Sequence, residues 1–286
     1  MTIALIDSQT ALYGVIGDPV GHSKSPVMMN RAFAETGVNG AYMAFHIAPA
    51  RLGDFILGVR AMGVRGVNVT IPHKQEVIPF LDAIDASAEA IGAVNTIVNR
   101  EGHLTGYNTD GIGYVRSLKE EAVPSLAGKT ILLLGAGGAA RGIVHALVRE
   151  QPARIVISNR TPDKARMLAA AYEDQSELLP IAQSELSRWC GEADVIINTT
   201  SIGMHPLVDA LPMDPDWLRP GTVVSDLIYN PLKTALLKEA EAKGCISHGG
   251  LGMFIYQGAY AFEYWTGKPA PAAAMRESVL AALGQA

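Results

Sequence analysis

The run Asn68-Val69-Thr70-Ile71-Pro72-His73-Lys74 sets polar side chains at the end of an apolar strand and a lysine in the first turn of the helix that follows. A cation in that place works against the helix dipole, whose positive end is the N-terminus. A general acid/base gains from it, because a free lysine near pKa 10.4 must shift by several units to exchange protons easily at neutral pH. Lys74 is therefore read as a candidate proton donor, with a solvated surface lysine as the competing reading, and His73 as a surface or supporting residue. The segments Gly92-Ala93-Val94-Asn95-Thr96 and Gly106-Tyr107-Asn108-Thr109-Asp110 end in amide or carboxylate groups. Asp110 is suited to orient Lys74 and share its proton, and Asn95 to bind a substrate hydroxyl. Turn capping by Asn and Asp accounts for the same residues equally well. In Gly21-His22-Ser23-Lys24-Ser25-Pro26, Ser25 fits a helix N-cap, Pro26 the first helical position, and Gly37 the stop of a helix running to about Thr36. A capping hydroxyl can still donate to a carboxylate held at the helix N-terminus. Ser23 and Ser25 thus stand both as caps and as candidate anion ligands.

A second constellation begins at Leu132-Leu133-Leu134-Gly135-Ala136-Gly137-Gly138-Ala139-Ala140, a GxGxxA pattern with a buried strand before it and a helix, Arg141 to Arg149, after it. Gly135 permits the tight turn, Gly137 lets the backbone approach a pyrophosphate, and the helix start offers N–H groups to the anion. The next strand ends Ser158-Asn159-Arg160-Thr161 with no carboxylate. An acidic residue there would bind the ribose 2′-OH of NAD and repel a 2′-phosphate. Arg160 instead suits that phosphate, and Lys164, about one turn on, adds charge, so NADP is the expected cofactor.

The elements that must position these groups alternate. Apolar runs at Tyr13 to Gly17, Ala41 to Phe45 and Gly66 to Thr70 alternate with helical stretches, and Asn95 to Tyr107 reads as a hairpin around Asn99-Arg100-Glu101-Gly102. The first sheet is therefore expected to be mixed. Past a turn-rich stretch, with a domain boundary near Gly111 to Gly128, strands Thr130 to Leu134, Arg154 to Ser158, Asp194 to Asn198 and Val223 to Leu227 alternate with helices, the pattern of a doubly wound parallel sheet. Pro269 to Ala274 reads as a loop into a final helix. The fold class is α/β, and 286 residues allow about two domains. No apolar run approaches the roughly 18 residues a membrane span needs, and a net charge of −5 without a dense basic stripe argues against nucleic acid. Cys190 and Cys245 stand outside any CxxC spacing, so no metal site is expected. The opening residues lack the basic and apolar blocks of a secretory leader, which points to a cytoplasmic protein acting on a small molecule. The sequence leaves the oligomeric state open, a homodimer included.

The segments VIGxPxxHSxSP, GxNVTxPxK, GAVNT, GxNTDxxG, GAGGAAR, NRTxxKA, NTTSxGM, DxxYNPxxT and GxxMxxxQ occur in this order, within a stretch from about Tyr13 to Gly267. Together they resemble the shikimate dehydrogenase family over nearly the whole chain. The resemblance implies a mixed-sheet α/β substrate domain, residues 1–112 joined by C-terminal helices 249–286, and a Rossmann NADP domain, residues 113–248. It implies reversible NADPH-dependent reduction of 3-dehydroshikimate to shikimate. It assigns Ser23, Ser25, Thr70, Asn95, Asp110, Tyr229 and Gln257 to the substrate, with Lys74 and Asp110 catalytic. Gly135, Ala136, Gly137, Gly138, Ala139, Asn159, Arg160, Thr161, Lys164, Leu227 and Gly250 fall to NADP. Met29 departs from the pattern, since many relatives carry histidine before Asn30. The rival readings are an NAD-dependent quinate/shikimate enzyme, against which Arg160 speaks, and a non-catalytic nucleotide sensor, against which Lys74 and Asp110 speak.

Overall fold

The computed structural model describes residues 6–284. By its contacts the chain forms two compact units, one of the residues up to Thr109 together with those from Ile255 on, the other of Asp110–Phe254. The first unit begins with β1 (Ala11–Gly17), α1 (Ser25–Thr36), β2 (Gly40–His46), α2 (Leu52–Ala61), β3 (Gly66–Val69) and α3 (His73–Glu76). It continues through β4 (Ala83–Ile84), α4 (Ala86–Ile91), β5 (Thr96–Arg100) and β6 (His103–Tyr107). The strands form one sheet in the order β2-β1-β3-β5-β6-β4. β1 pairs in parallel with β2 and β3, while β5 runs antiparallel to β3 and β6, so the sheet is mixed as the hairpin signal implied. Glu101 and Gly102 make the hairpin turn with φ of 53° and 90°. Two successive left-handed residues give a tight turn whose twist matches that of the strands it joins. Ile16, Val67 and Val69 of the sheet pack with Leu52, Ile56 and Val59 of α2.

The second unit runs α5 (Asp110–Glu121), β7 (Thr130–Leu134), α6 (Gly138–Leu147), β8 (Arg154–Ser158), α7 (Pro162–Ala170) and β9 (Leu178–Ile181). Then come α8 (Leu186–Glu192), β10 (Val195–Asn198), β11 (Val223–Asp226), α9 (Ala235–Ala242) and β12 (Ile246–His248). Its sheet, β12-β11-β10-β7-β8-β9, is parallel at every pair. Side chains alternate faces along each strand. Ile131, Leu133, Ile155, Ile157, Val195 and Ile197 pack on one side with Leu118 of α5 and Ile143 of α6. Leu132, Leu134, Val156, Ile196 and Val224 pack on the other with Trp189 of α8 and Leu236 of α9. Cover on both faces is why these strands read as unbroken apolar runs. The edge strands β9 and β12 escaped the sequence reading. β9 contains Pro180, opposite Ile157, which a strand tolerates only at an edge, and β12 is three residues long.

The last helices, α10 (Leu251–Thr266) and α11 (Ala272–Ala282), carry the chain from the second unit back into the first. There the Trp265 ring lies 5.3 Å from that of Tyr13, Phe262 lies 5.6 Å from Phe33, and Trp265 donates Nε1–H to the Ile97 carbonyl at 2.9 Å. α11 packs on α1 and buries Met275 and Val279. Met29, the departure noted above, is fully buried on α1. A Cβ added at Gly66 would stand 2.1 Å from Trp265 Nε1, so the glycine is what lets the indole reach Ile97. Gly66→Ala is expected to displace the ring and lower stability by about 1–3 kcal/mol. Denaturant unfolding measures this, and an unchanged midpoint refutes it.

Candidate active site

In the second unit β7 ends into a turn whose first residue, Gly135, has φ of +108°. A Cβ there would meet Thr199 Oγ1 at 2.6 Å, so both the backbone and its neighbour demand glycine. Gly137 differs. Its φ of −87° and ψ of −166° suit any residue, and a Cβ would meet nothing within 4 Å. Nothing in the described structure requires glycine at that position, so the requirement falls on what approaches from outside. Gly137 is the N-cap of α6, and the N–H groups of Gly138 and Ala139 open that helix beside an exposed backbone. This cradle fits a phosphate bridge.

The same turn is braced by Asn159, which follows β8. Its Oδ1 accepts from the Ala136 N–H at 3.1 Å and its Nδ2 donates to the Thr161 carbonyl at 2.8 Å. Gly135, Ala136, Gly137, Asn159 and Arg160 line one pocket of about 330 Å³ with Thr199 and Thr200. Thr161 stands in the N-cap place of α7 without a side-chain cap, Lys164 lies in the first turn, and both are exposed, as is Arg160. The backbone of Leu227 passes so close to Gly250 that a Cβ on the glycine would stand 2.0 Å from the Leu227 carbonyl. Tyr229, two residues on, stacks on Phe254 with ring centroids 4.6 Å apart, and burial raises its phenol pKa. Asp110 opens α5 in this unit.

In the first unit the capping expectation needs a correction. α1 starts at Ser25, with Lys24 in the N-cap place and making no side-chain cap. Ser23 Oγ takes the capping role by accepting from the Ser25 N–H at 3.2 Å. Ser25 is buried, with its hydroxyl near the Tyr42 phenol. Burial drives the pKa of that phenol well up, and the neighbouring Ser25 hydroxyl opposes the rise.

From Tyr42 the hydrogen bonds run in one direction. Tyr42 donates to Asn68 Oδ1 at 2.7 Å, Asn68 Nδ2 to Thr96 Oγ1 at 3.1 Å, and Thr96 to Asn95 Oδ1 at 3.0 Å. Asn95 Nδ2 donates to Thr109 Oγ1 at 3.0 Å, and Thr109 to the Gln257 carbonyl at 3.0 Å. Two residues singled out from the sequence, Asn95 and Gln257, are thus joined in one line with Tyr42, Asn68, Thr96 and Thr109, which were not. A polar Asn68 inside an apolar strand was the available signal. Tyr42, in a run that reads as an ordinary strand, offered none.

Thr70 follows β3, donating its N–H to the Ile16 carbonyl and accepting from the His73 N–H, each at 2.9 Å. Lys74 is half-buried on the four-residue α3, and its carbonyl accepts from the Val94 N–H at 2.8 Å, tying this turn to the segment of Asn95. His73 was expected at the surface or in support. It is fully buried, bonding Nε2 to the Ile47 carbonyl at 2.6 Å and leaving Nδ1 without a partner among the described residues. The short helix turns this ring inward to fasten α3 to the chain after β2. Among the described residues no cluster of side chains could hold a metal ion.

Comparison with known proteins gives the following. Residues 15–97 match the shikimate dehydrogenase substrate binding domain, residues 117–212 the shikimate / quinate 5-dehydrogenase family, and residues 250–280 the shikimate 5'-dehydrogenase C-terminal domain. The chain is 52% identical over 273 residues to a shikimate dehydrogenase (NADP(+)) of Geobacillus kaustophilus, covering 95% of this chain and 98% of the relative. A crystal structure of shikimate 5-dehydrogenase from Listeria monocytogenes with shikimate and NAD superposes with a TM-score of 0.90 at 39% identity, covering 96% and 98% of the two chains. That from Thermus thermophilus with NADP(H) and shikimate gives 0.86 at 35%, covering 96% and 100%.

The open space at Gly137 yields a direct test. Gly137→Val should leave stability within about 0.5 kcal/mol of the parent chain. Affinity for NADP, followed by fluorescence titration, should fall at least about a hundredfold because the branched side chain fills the cradle. Undiminished binding would show that no phosphate approaches there.

Proposed function

The chain belongs to the shikimate dehydrogenase family, and from that premise we propose that it reversibly reduces 3-dehydroshikimate to shikimate with NADPH. The observation that carries the reading is the single pocket shared by the glycine turn and Arg160, at a strand end that bears no carboxylate. Such a pocket accepts a dinucleotide with a 2′-phosphate, for which Arg160 and Lys164 supply charge. Gly135 to Ala139, Asn159, Thr161, Leu227 and Gly250 complete the cofactor assignment. We assign cofactor binding to residues 113–248, and substrate binding to residues 1–112 with 249–286.

Bound NADPH supplies the hydride that the ring carbonyl carbon receives. The chain's own part is to hold the substrate and move the proton. Ser23 and Ser25 are assigned to the ring carboxylate, and Thr70, Asn95, Tyr229 and Gln257 to the ring hydroxyls. Lys74 gives its proton to the carbonyl oxygen and takes it back in the reverse direction, with Asp110 as the carboxylate that balances and orients the ammonium. The support for Lys74 is its place on a short helix tied by its own backbone to Val94, beside the buried Asn95. Such fixing is what a proton donor needs to meet one oxygen repeatedly. No described helix is long and apolar enough to cross a membrane. Cys190 and Cys245 are free and buried, burial pushing the Cys190 thiol up to about 12, and unpaired thiols fit the reducing cytoplasm.

The assay is shikimate oxidation by the purified chain with NADP or NAD in parallel, followed by absorbance of the reduced nicotinamide. NADP should be clearly preferred, and equal use of both overturns the cofactor assignment. Arg160→Ala should weaken NADP at least about tenfold with little change for NAD, the loss of one charge-assisted bond or more. Lys74→Ala should lower kcat by about 10² to 10⁴ with NADP affinity nearly intact. Full activity in that variant, with its fold verified by circular dichroism, would refute the acid/base role.

A further inference from the structure

Asp226 ends β11 and is wholly buried, and no residue bonded to its carboxylate carries a positive charge. Its Oδ1 accepts from the Ile228 N–H at 3.1 Å and from Asn198 Nδ2 at 3.2 Å, and its Oδ2 from the Thr234 hydroxyl at 2.9 Å. Thr234 caps α9, so the carboxylate lies toward the positive end of that helix dipole. Asn198 ends the neighbouring β10, and its Oδ1 accepts from the Thr200 N–H at 3.1 Å and the Thr200 hydroxyl at 2.7 Å. One carboxylate therefore fastens the start of the segment after β11 and, through Asn198, the segment after β10. The first of these carries Leu227 and Tyr229.

A buried carboxylate with three neutral donors is an expensive way to close a loop. Desolvation outweighs the hydrogen bonds and raises the Asp226 pKa above its ordinary value of 3.8. The sign follows. A carboxyl whose folded pKa is raised helps the fold most below its unfolded pKa, and that help is lost as pH rises through the folded value. Ionising the group therefore costs the fold stability. A purely structural position would do as well with an amide or an apolar side chain.

We propose that Asp226 is a positioning residue for the reaction, its carboxylate fixing the 227–229 segment so that the Tyr229 hydroxyl meets the substrate. The backbone route is short. Asp226 holds the Ile228 N–H, the Ile228 carbonyl accepts from the Gly250 N–H at 3.2 Å, and Tyr229 leaves this fixed peptide to stack on Phe254. The inference rests on the shikimate dehydrogenase reading above, in which Tyr229 binds substrate.

The test measures KM and kcat for shikimate at saturating NADP, with thermal unfolding at pH 7, for the full chain and for Asp226→Asn, Asp226→Ala, Tyr229→Phe and the Asp226→Ala/Tyr229→Phe double variant. Asp226→Ala should raise KM about tenfold, the worth of one well-aligned hydrogen bond, with a smaller fall in kcat. Asp226→Asn keeps one acceptor oxygen for Ile228 and should raise KM roughly threefold, while unfolding no earlier than the parent chain. In the Tyr229→Phe background, Asp226→Ala should add less than about a twofold rise, because the hydroxyl it serves is gone. An unchanged KM in folded Asp226→Asn, full additivity with Tyr229→Phe, or a fall in melting temperature for Asp226→Asn overturns the proposal. Should the parent chain fail to turn over shikimate with either nicotinamide cofactor, the functional reading fails and this inference with it. Turnover that is indifferent to Asp226 sinks the inference alone.

Discussion

Strands that pair in parallel all end on the same edge of their sheet, so whatever follows each strand is delivered to one side. In the second unit this constraint places Gly135 after β7, Asn159 and Arg160 after β8, Thr199 and Thr200 after β10, Leu227 after β11 and Gly250 soon after β12. Residues more than a hundred positions apart in sequence arrive at one edge without any contact of their own having to bring them there. The first unit uses the rule only in part. The segment after β1 carries Ser23 and that after β3 carries Thr70 and Lys74, and these two strands are parallel neighbours. Asn95 comes from the approach to β5, which runs the other way, so its position before the strand puts it at the same edge. A mixed sheet thus gathers residues from strand ends and strand starts alike.

Gathering is not the same as holding, and the holding is done by buried polar groups bonded to one another. In the first unit the hydrogen bonds from Tyr42 through Asn68, Thr96, Asn95 and Thr109 to the Gln257 carbonyl give every donor named one acceptor. A chain of this kind polarises along its length and tolerates no missing member, since an orphaned buried group costs about 1–3 kcal/mol. The consequence is rigidity where a substrate must be met in one orientation. Tyr114, Ser225 and His248 form a comparable buried set in the second unit, with Tyr114 donating to Ser225 at 2.8 Å and Ser225 bonded to His248 Nδ1 at 2.8 Å. That set lies on the face of β11 opposite to the Asp226 carboxylate. Adjacent residues of one strand point to opposite faces, so the two groups brace β11 from both sides.

Much of this was legible in the sequence, for physical reasons. The apolar strands of the second unit, the glycine turn and the Asn99 to Gly102 hairpin are local signals, set by burial on both faces, by backbone conformation and by turn chemistry. β9 and β12 were not legible, because an edge strand need bury only part of itself and can carry Pro180. The return of α10 and α11 to the first unit has no local signature either. It depends on Trp265 finding the gap at Gly66, a complementarity between positions almost two hundred residues apart that periodicity does not register. At the site, the spacing of Ser23, Ser25, Lys74 and Arg160 could be read, but the inward turn of His73 could not. That turn depends on the Ile47 carbonyl being within reach, which is a property of the assembled sheet.

Charge sets the last requirement. The chain carries 23 basic and 28 acidic side chains, a net charge of −5, and both molecules assigned to it are anions. Long-range attraction is thus not what brings them, and at physiological salt charges more than about 8 Å apart are largely screened in any case. Recognition has to be local. For the cofactor the proposed contacts are the N–H groups at the start of α6, with Arg160 and Lys164 for the extra phosphate. For the substrate carboxylate the assigned donors are the neutral hydroxyls of Ser23 and Ser25, each worth less than a charge-assisted bond. That choice has a kinetic sense. A carboxylate remote from the reacting carbon is held alike in substrate, transition state and product, so a stronger grip there would lower KM and slow release without raising kcat. In the proposed assignment, leaving the positive charge to Lys74 puts the stronger interaction at the oxygen whose charge changes during the reaction, where added binding stabilises the transition state more than the ground state.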